Sequence, residues 1–158
     1  MFTLQSAPAG TKSERYSELL GQARALLAGE RDRTANAANL ASLIFHSLPD
    51  LNWAGFYFVK GGELVLGPFQ GKPACVRIAL GRGVCGTAAR DGQTIVVPDV
   101  HAFPGHIACD SASKSEIVVP VGKWGVLDLD SPRLNRFDEE DARGLEAIVA
   151  AFMKASNP

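Results

Sequence analysis

Apolar residues at Tyr16, Leu19, Leu20, Ala23, Leu26 and Leu27 recur by threes and fours, which predicts a helix over residues 12–27, stopped by Gly29. Leu40, Leu43, Ile44 and Ser47 repeat that spacing, with Thr34 placed to cap a second helix and Pro49 to end it. The pattern then changes. Residues 53–60 are rich in aromatic and β-branched side chains, and Gly61-Gly62 turns tightly into a strand over 63–66. Residues 76–80 read as another strand. Gly81-Arg82-Gly83 leads to a short helical piece around 87–90, followed by a strand over 94–97 that Pro98 closes. Two strands over 116–121 and 124–130 flank a Gly122-Lys123 turn. A last helix over 138–155 has Asp138 as its cap and Leu145, Ile148, Val149 and Phe152 as its apolar face. Hairpin-linked strands with helices at both ends predict an α+β domain: an antiparallel sheet of about six strands with the N- and C-terminal helices packed on one face.

The 158 residues suit one domain over 1–158, with 1–11 expected to be a flexible N-terminus, and there is no repeat or linker. Apolar content of 46% and charged content of 21% are globular values, which argues against disorder. A net charge of −1 gives no general pull toward nucleic acid or an anionic membrane. The apolar runs are only strand-sized, and residues 1–10 lack the basic and apolar regions of a secretory signal, so a cytoplasmic protein is expected.

Three cysteines, Cys75, Cys85 and Cys109, are too few and too odd in number for a structural disulfide framework. By count alone they read equally well as small buried hydrophobes or as redox or metal groups. Cys109 lies in a stretch from 99 to 113 without periodicity, crowded with His, Pro, Gly, Asp and Ser. A loop of that length inside a domain is more often functional than not. With His106 beside it and Lys114 nearby, Cys109 is the best nucleophile candidate, and either Cys75 or Cys85 can meet it in space.

Asp128 and Asp130 alternate with Leu127 and Leu129, so both carboxylates share one strand face while the leucines turn toward the core. Glu116 sits on the strand before. Adjacent carboxylates repel unless a cation lies between them, which points to a pocket for a small ammonium group; a solvated strand end is the plainer alternative. Trp53, Gly55 and Tyr57 likewise share a face opposite Ala54, Phe56 and Phe58. A ring, a gap and a ring form a cradle for a polarised methyl–sulfur group, the glycine letting a ligand approach the backbone.

Two other signals are weak. Gly81-x-Gly83-x-x-Gly86 spells a dinucleotide fingerprint, but its helix is short and its strands form hairpins. Cys75, Cys85, His101, His106 and Cys109 include no paired zinc-ligand spacing.

Taken together, Gly71-Lys72-Pro73-Ala74-Cys75-Val76-Arg77-Ile78, Gly81-Arg82-Gly83-Val84-Cys85-Gly86-Thr87-Ala88, Pro98-Asp99-Val100-His101, Phe103-Pro104-Gly105-His106-Ile107-Ala108-Cys109-Asp110, Ser113-Lys114-Ser115-Glu116-Ile117-Val118 and Gly125-Val126-Leu127-Asp128-Leu129-Asp130-Ser131 closely resemble the free methionine-R-sulfoxide reductases, which are single GAF domains. The resemblance runs from about residue 53 to 137 and keeps all three cysteines in register. It implies Cys109 as the thiol that attacks sulfur and Cys75 as its recycling partner, with Cys85 a second candidate. It implies Trp53 and Tyr57 as the wall around the substrate methyl. Glu116, Asp128 and Asp130 would hold the ammonium of free methionine sulfoxide and protonate its oxygen. It further implies a homodimer, no bound cofactor or metal, and thioredoxin as external reductant. The turn from Val121 to Trp124 is shorter than the family's hairpin, which bears on loop shape or dimer contacts. The competing expectation is a GAF domain that senses a small ligand without turnover; a zinc-stabilised interaction domain is a third.

Overall fold

The structure, a computed structural model, describes residues 1–4, 10–106 and 109–157. Of the N-terminal stretch expected to be flexible, residues 5–9 lie outside the described residues, and Thr11 is already the cap of α1 (Lys12–Leu27). The cap of α2 (Arg33–Ser47) is Asp32 rather than Thr34. Asp32 has the extended backbone that a cap needs and accepts the Ala35 N–H at 2.8 Å, whereas Thr34 lies inside the first turn.

β1 (Trp53–Lys60) turns at Gly61-Gly62, both at positive φ, into β2 (Glu63–Gly71). β2 runs five residues past the expected end. Gly67 and Pro68 look like strand breakers, but they fall where the pairing shifts from Tyr57↔Leu66 to Gly55↔Phe69, a bulge that tolerates both. β3 (Arg77–Ala79), α3 (Gly83–Asp91) and β4 (Ile95–Val97) follow, then a short 3-10 turn at Val100–Ala102. β5 (Ser115–Val121) and β6 (Gly125–Ser131) form the last hairpin, and α4 (Glu139–Ala155) ends the fold. α3 is longer than the piece expected around 87–90, because its first turn begins at Gly83.

The six strands form one antiparallel sheet in the order β3-β2-β1-β6-β5-β4. Alternation along the central strands divides the interior. Ala54, Phe56, Phe58, Ile117, Val119, Leu127 and Leu129 pack against α1, α2 and α4 in the main core. The opposite face carries a second cluster, in which Trp53, Tyr57, Val118 and Val126 meet Val84, Cys85 and Ala88 of α3 and Val100 of the loop. The expected single covered face is therefore joined by a second, partly covered by α3.

α1 and α4 are tied by Asp141, which is fully buried and accepts from Tyr16 Oη at 2.6 Å and Lys12 Nζ at 2.8 Å while completing a capping box with Asp138. No helix among the described residues is long and apolar enough to cross a membrane.

Candidate active site

The second sheet face opens into a cleft roofed by Pro73 and Ala74 of the 72–75 segment, the start of α3 and the loop after β4. Its floor comes from strand register. Glu116 of β5 pairs with Asp130 of β6, Asp130 with Trp53 of β1, and Asp128 with Gly55. The sheet thus sets three carboxyl groups and the aromatic pair side by side.

Trp53 and Tyr57 are both buried, with centroids 5.9 Å apart, and Trp53 also stacks on Phe69 at 5.2 Å. The gap at Gly55 is not open to a ligand: a Cβ there would collide with Phe69 and the Trp53 ring. Gly55 is required because the Cα and Cβ of Phe69 and the Trp53 ring lie over it, which corrects the expected ligand approach. The polar ends of the rings are satisfied by the roof. Trp53 Nε1–H donates to Lys72 O at 3.1 Å, and Tyr57 O–H donates to Cys75 O at 2.8 Å.

Glu116 and Asp128 are 6% and 5% exposed, and Asp128 Oδ1 has no hydrogen-bond partner among the described residues. Burial first, and the neighbouring carboxylates second, push all three acids well above the usual carboxylate range. A carboxyl shifted in this direction holds its proton to higher pH than an ordinary one, which suits it to donating that proton. The Cys85 thiol of α3 is also buried and lies within 4.8 Å of an Asp128 oxygen; burial, then the charges of Asp128 and Glu116, raise its pKa.

Cys109 is exposed and joined to Cys75, 34 positions earlier in the chain, in a disulfide with Cα atoms 5.8 Å apart. The bridge links the 72–75 roof to the loop. Cys85 remains a free thiol. Of the basic groups expected beside Cys109, His106 lines the cleft, its pKa lowered by burial and then by His101. Lys114 is absent from the described lining; its backbone instead stitches Ser131 to Val100.

Several lining groups escape a reading of the chain. Asn52 Nδ2 donates to Asp110 Oδ2 and to Ser113 Oγ, each at 3.0 Å, and Asp110 also accepts the Ala112 N–H, which holds its carboxyl below the usual range. These bonds moor the Cys109 loop to the start of β1. Arg82, Gly83 and Val84 form the opposite rim, where α3 begins with no side-chain cap. Only the asparagine before the strand and the Asp-x-Ala spacing hint at these turns, and neither is distinctive.

The dinucleotide reading fails on structure. Gly81 to Gly86 links an antiparallel edge strand to a nine-residue helix, and Gly86 is needed because a Cβ would strike Ala79 O. The five-residue zinc set is broken by the disulfide.

The GAF domain family pattern matches residues 34–155. The chain is 52% identical over 147 residues to the free methionine-R-sulfoxide reductase of Escherichia coli, covering 90% of this chain and 89% of that protein. It is 45% identical to the Saccharomyces cerevisiae protein of the same name, covering 91% and 87%. The X-ray structure of free methionine-R-sulfoxide reductase from Neisseria meningitidis in complex with its substrate superposes with a TM-score of 0.94 at 46% identity, covering 99% of this chain and 96% of that one. The chain therefore belongs to the GAF domain family and, within it, to the free methionine-R-sulfoxide reductases.

Proposed function

We propose that this protein is an oxidoreductase that reduces free L-methionine-R-sulfoxide to methionine. The observation that carries this reading is the Cys75–Cys109 disulfide, whose Cys109 lines the same cleft as Glu116, Asp128 and Asp130, the first two of them buried. In the reduced protein the Cys109 thiolate attacks the sulfoxide sulfur while a cleft carboxylic acid, Glu116 or Asp128, protonates the oxygen, since oxide leaves poorly without a proton. The oxygen passes to Cys109, which becomes a sulfenic acid, and methionine departs. The Cys75 thiol condenses with that sulfenic acid to release water and form the disulfide. An external dithiol supplies the two electrons that reopen it. Exposure of Cys109 favours such access. By likeness to the family we assign thioredoxin as that dithiol, a homodimer as the assembly and the cytoplasm as the setting, whose reducing poise suits the cycle.

The substrate is a zwitterion, and the cleft has two matching sides. Asp128 and Asp130 offer acceptors to its ammonium, and the uncapped start of α3 with Arg82 offers donors to its carboxylate. Trp53 and Tyr57 pack against the methyl–sulfur end. The test is thioredoxin-coupled NADPH oxidation with free methionine-R-sulfoxide, the S epimer and a peptide-bound sulfoxide. Turnover on the free R epimer alone is expected. Silence on all three from reduced protein would overturn the reading in favour of a ligand-sensing domain.

A further inference from the structure

Cys85 stands outside the disulfide and is not used in the oxygen transfer proposed above, yet it lines the same cleft. Its Sγ, one oxygen of Glu116 and one of Asp128 all lie within 4.8 Å of one another, each on a buried residue. Asp128 Oδ1 is a separate observation: a buried carboxylate oxygen on a residue 5% exposed, lining the cleft, with no donor among the described residues. The three groups come from three elements, α3, β5 and β6, and the sheet and the α3 contact fix their spacing.

We propose that Cys85, Glu116 and Asp128 form a binding site for a borderline-soft divalent cation, zinc by its chemistry, and that the bound cation reversibly inhibits turnover. One sulfur and two oxygens suit zinc, because a thiolate ligand discriminates against magnesium and calcium. Three protein ligands leave a fourth position open, which here faces the cleft. Modest rotamer changes bring such donors to the ~2.0–2.3 Å bonds that zinc makes. On binding, the Cys85 thiol and whichever of the two carboxyl groups carry protons release them to solvent, and all three coordinate as anions. The cation then occupies the place proposed for the substrate ammonium and removes the acidic proton that the oxygen needs. Inhibition rests on the functional reading above; metal binding does not.

The experiment uses chelator-stripped protein reduced with a phosphine, titrated with cobalt(II) as the spectroscopic probe and zinc as the competitor. A thiolate-to-cobalt charge-transfer band saturating at one equivalent is expected, abolished in Cys85→Ser and retained in a Cys75→Ser, Cys109→Ser double variant. Asp128→Asn, which keeps the volume, guards against misfolding of the Cys85 variant and should weaken cobalt binding about tenfold or more. Zinc should displace cobalt and lower turnover about tenfold at saturation, in competition with free methionine sulfoxide and reversed by chelator. Absence of the band, its persistence in Cys85→Ser, or full turnover at saturating zinc would overturn the proposal. A Cys85-dependent band in metal-free-inactive protein would instead support the metal site and overturn the functional reading.

Discussion

Asp128 illustrates how a single residue is set for acid chemistry by what surrounds it. Strand pairing sets it opposite Val118 and Gly55, one diagonal step from Glu116, and burial pushes its carboxyl above the usual range. Glu116→Gln or Asp128→Asn should lower kcat by about 10²-fold, the loss typical of a general acid, while leaving the melting temperature unchanged or higher. Near-normal kinetics in either variant would remove that residue from the mechanism. Cys75→Ser separates the two halves of the cycle. It should form one methionine per enzyme in a single turnover and leave a sulfenic acid on Cys109 that a dimedone probe captures, whereas Cys109→Ser should form none. Continuous turnover by Cys75→Ser with thioredoxin would assign the resolving role elsewhere.

Elements, rather than residues, carried most of what could be read in advance. The period of two at residues 53–60 and 125–130 separated leucines and phenylalanines from the acids and the Trp–Tyr pair, because alternation on a strand is a local property. The choice between Cys75 and Cys85 was not local. It depended on how α3 packs under the sheet and buries Cys85, and on where the 99–114 loop returns, both set by contacts distant in sequence. The crowding at Gly55 is hidden for a related reason: the Cα and Cβ of Phe69 arrive from β2 through a bulge that the pattern of β2 conceals. Gly55→Ala should therefore displace Phe69 or Trp53, costing about 1–3 kcal/mol in denaturant unfolding and raising KM more than it lowers kcat. An unaltered KM would detach the Trp53 wall from substrate binding. At the other end of the fold, Asp32→Ala removes the α2 cap and should cost about 1 kcal/mol, whereas Thr34→Ala should cost little.

For the molecule as a whole, the titrating groups pull stability in opposite directions. Glu116, Asp128 and Asp130 have folded pKa values raised above their unfolded ones, so the native state keeps protons that the unfolded chain releases. Stability from this source is present below the ordinary carboxylate range and falls as pH rises through the raised values. Asp138 behaves oppositely. Its desolvation is outweighed by hydrogen bonds from the Asp141 amide and Lys12, which bring its pKa to about 2. Its contribution holds above the model-compound value of 3.8 and is lost as pH falls toward 2. Ligand-free protein should therefore melt highest on the mildly acidic side, with a decline toward alkaline pH that Asp128→Asn flattens. A melting temperature that rises steadily from acidic to alkaline pH would contradict the raised carboxyl groups. Finally, Trp53 grips the segment that carries Cys75, while Trp124, the protein's other tryptophan, lies on the far face of the sheet under Arg33, whose guanidinium is 3.7 Å from its ring centroid. Disulfides quench indole emission by accepting an electron at short range. The protein thus has an internal optical gauge: in a Trp124→Phe background, fluorescence should brighten as the bridge opens and dim as each catalytic cycle closes it, with no added dye.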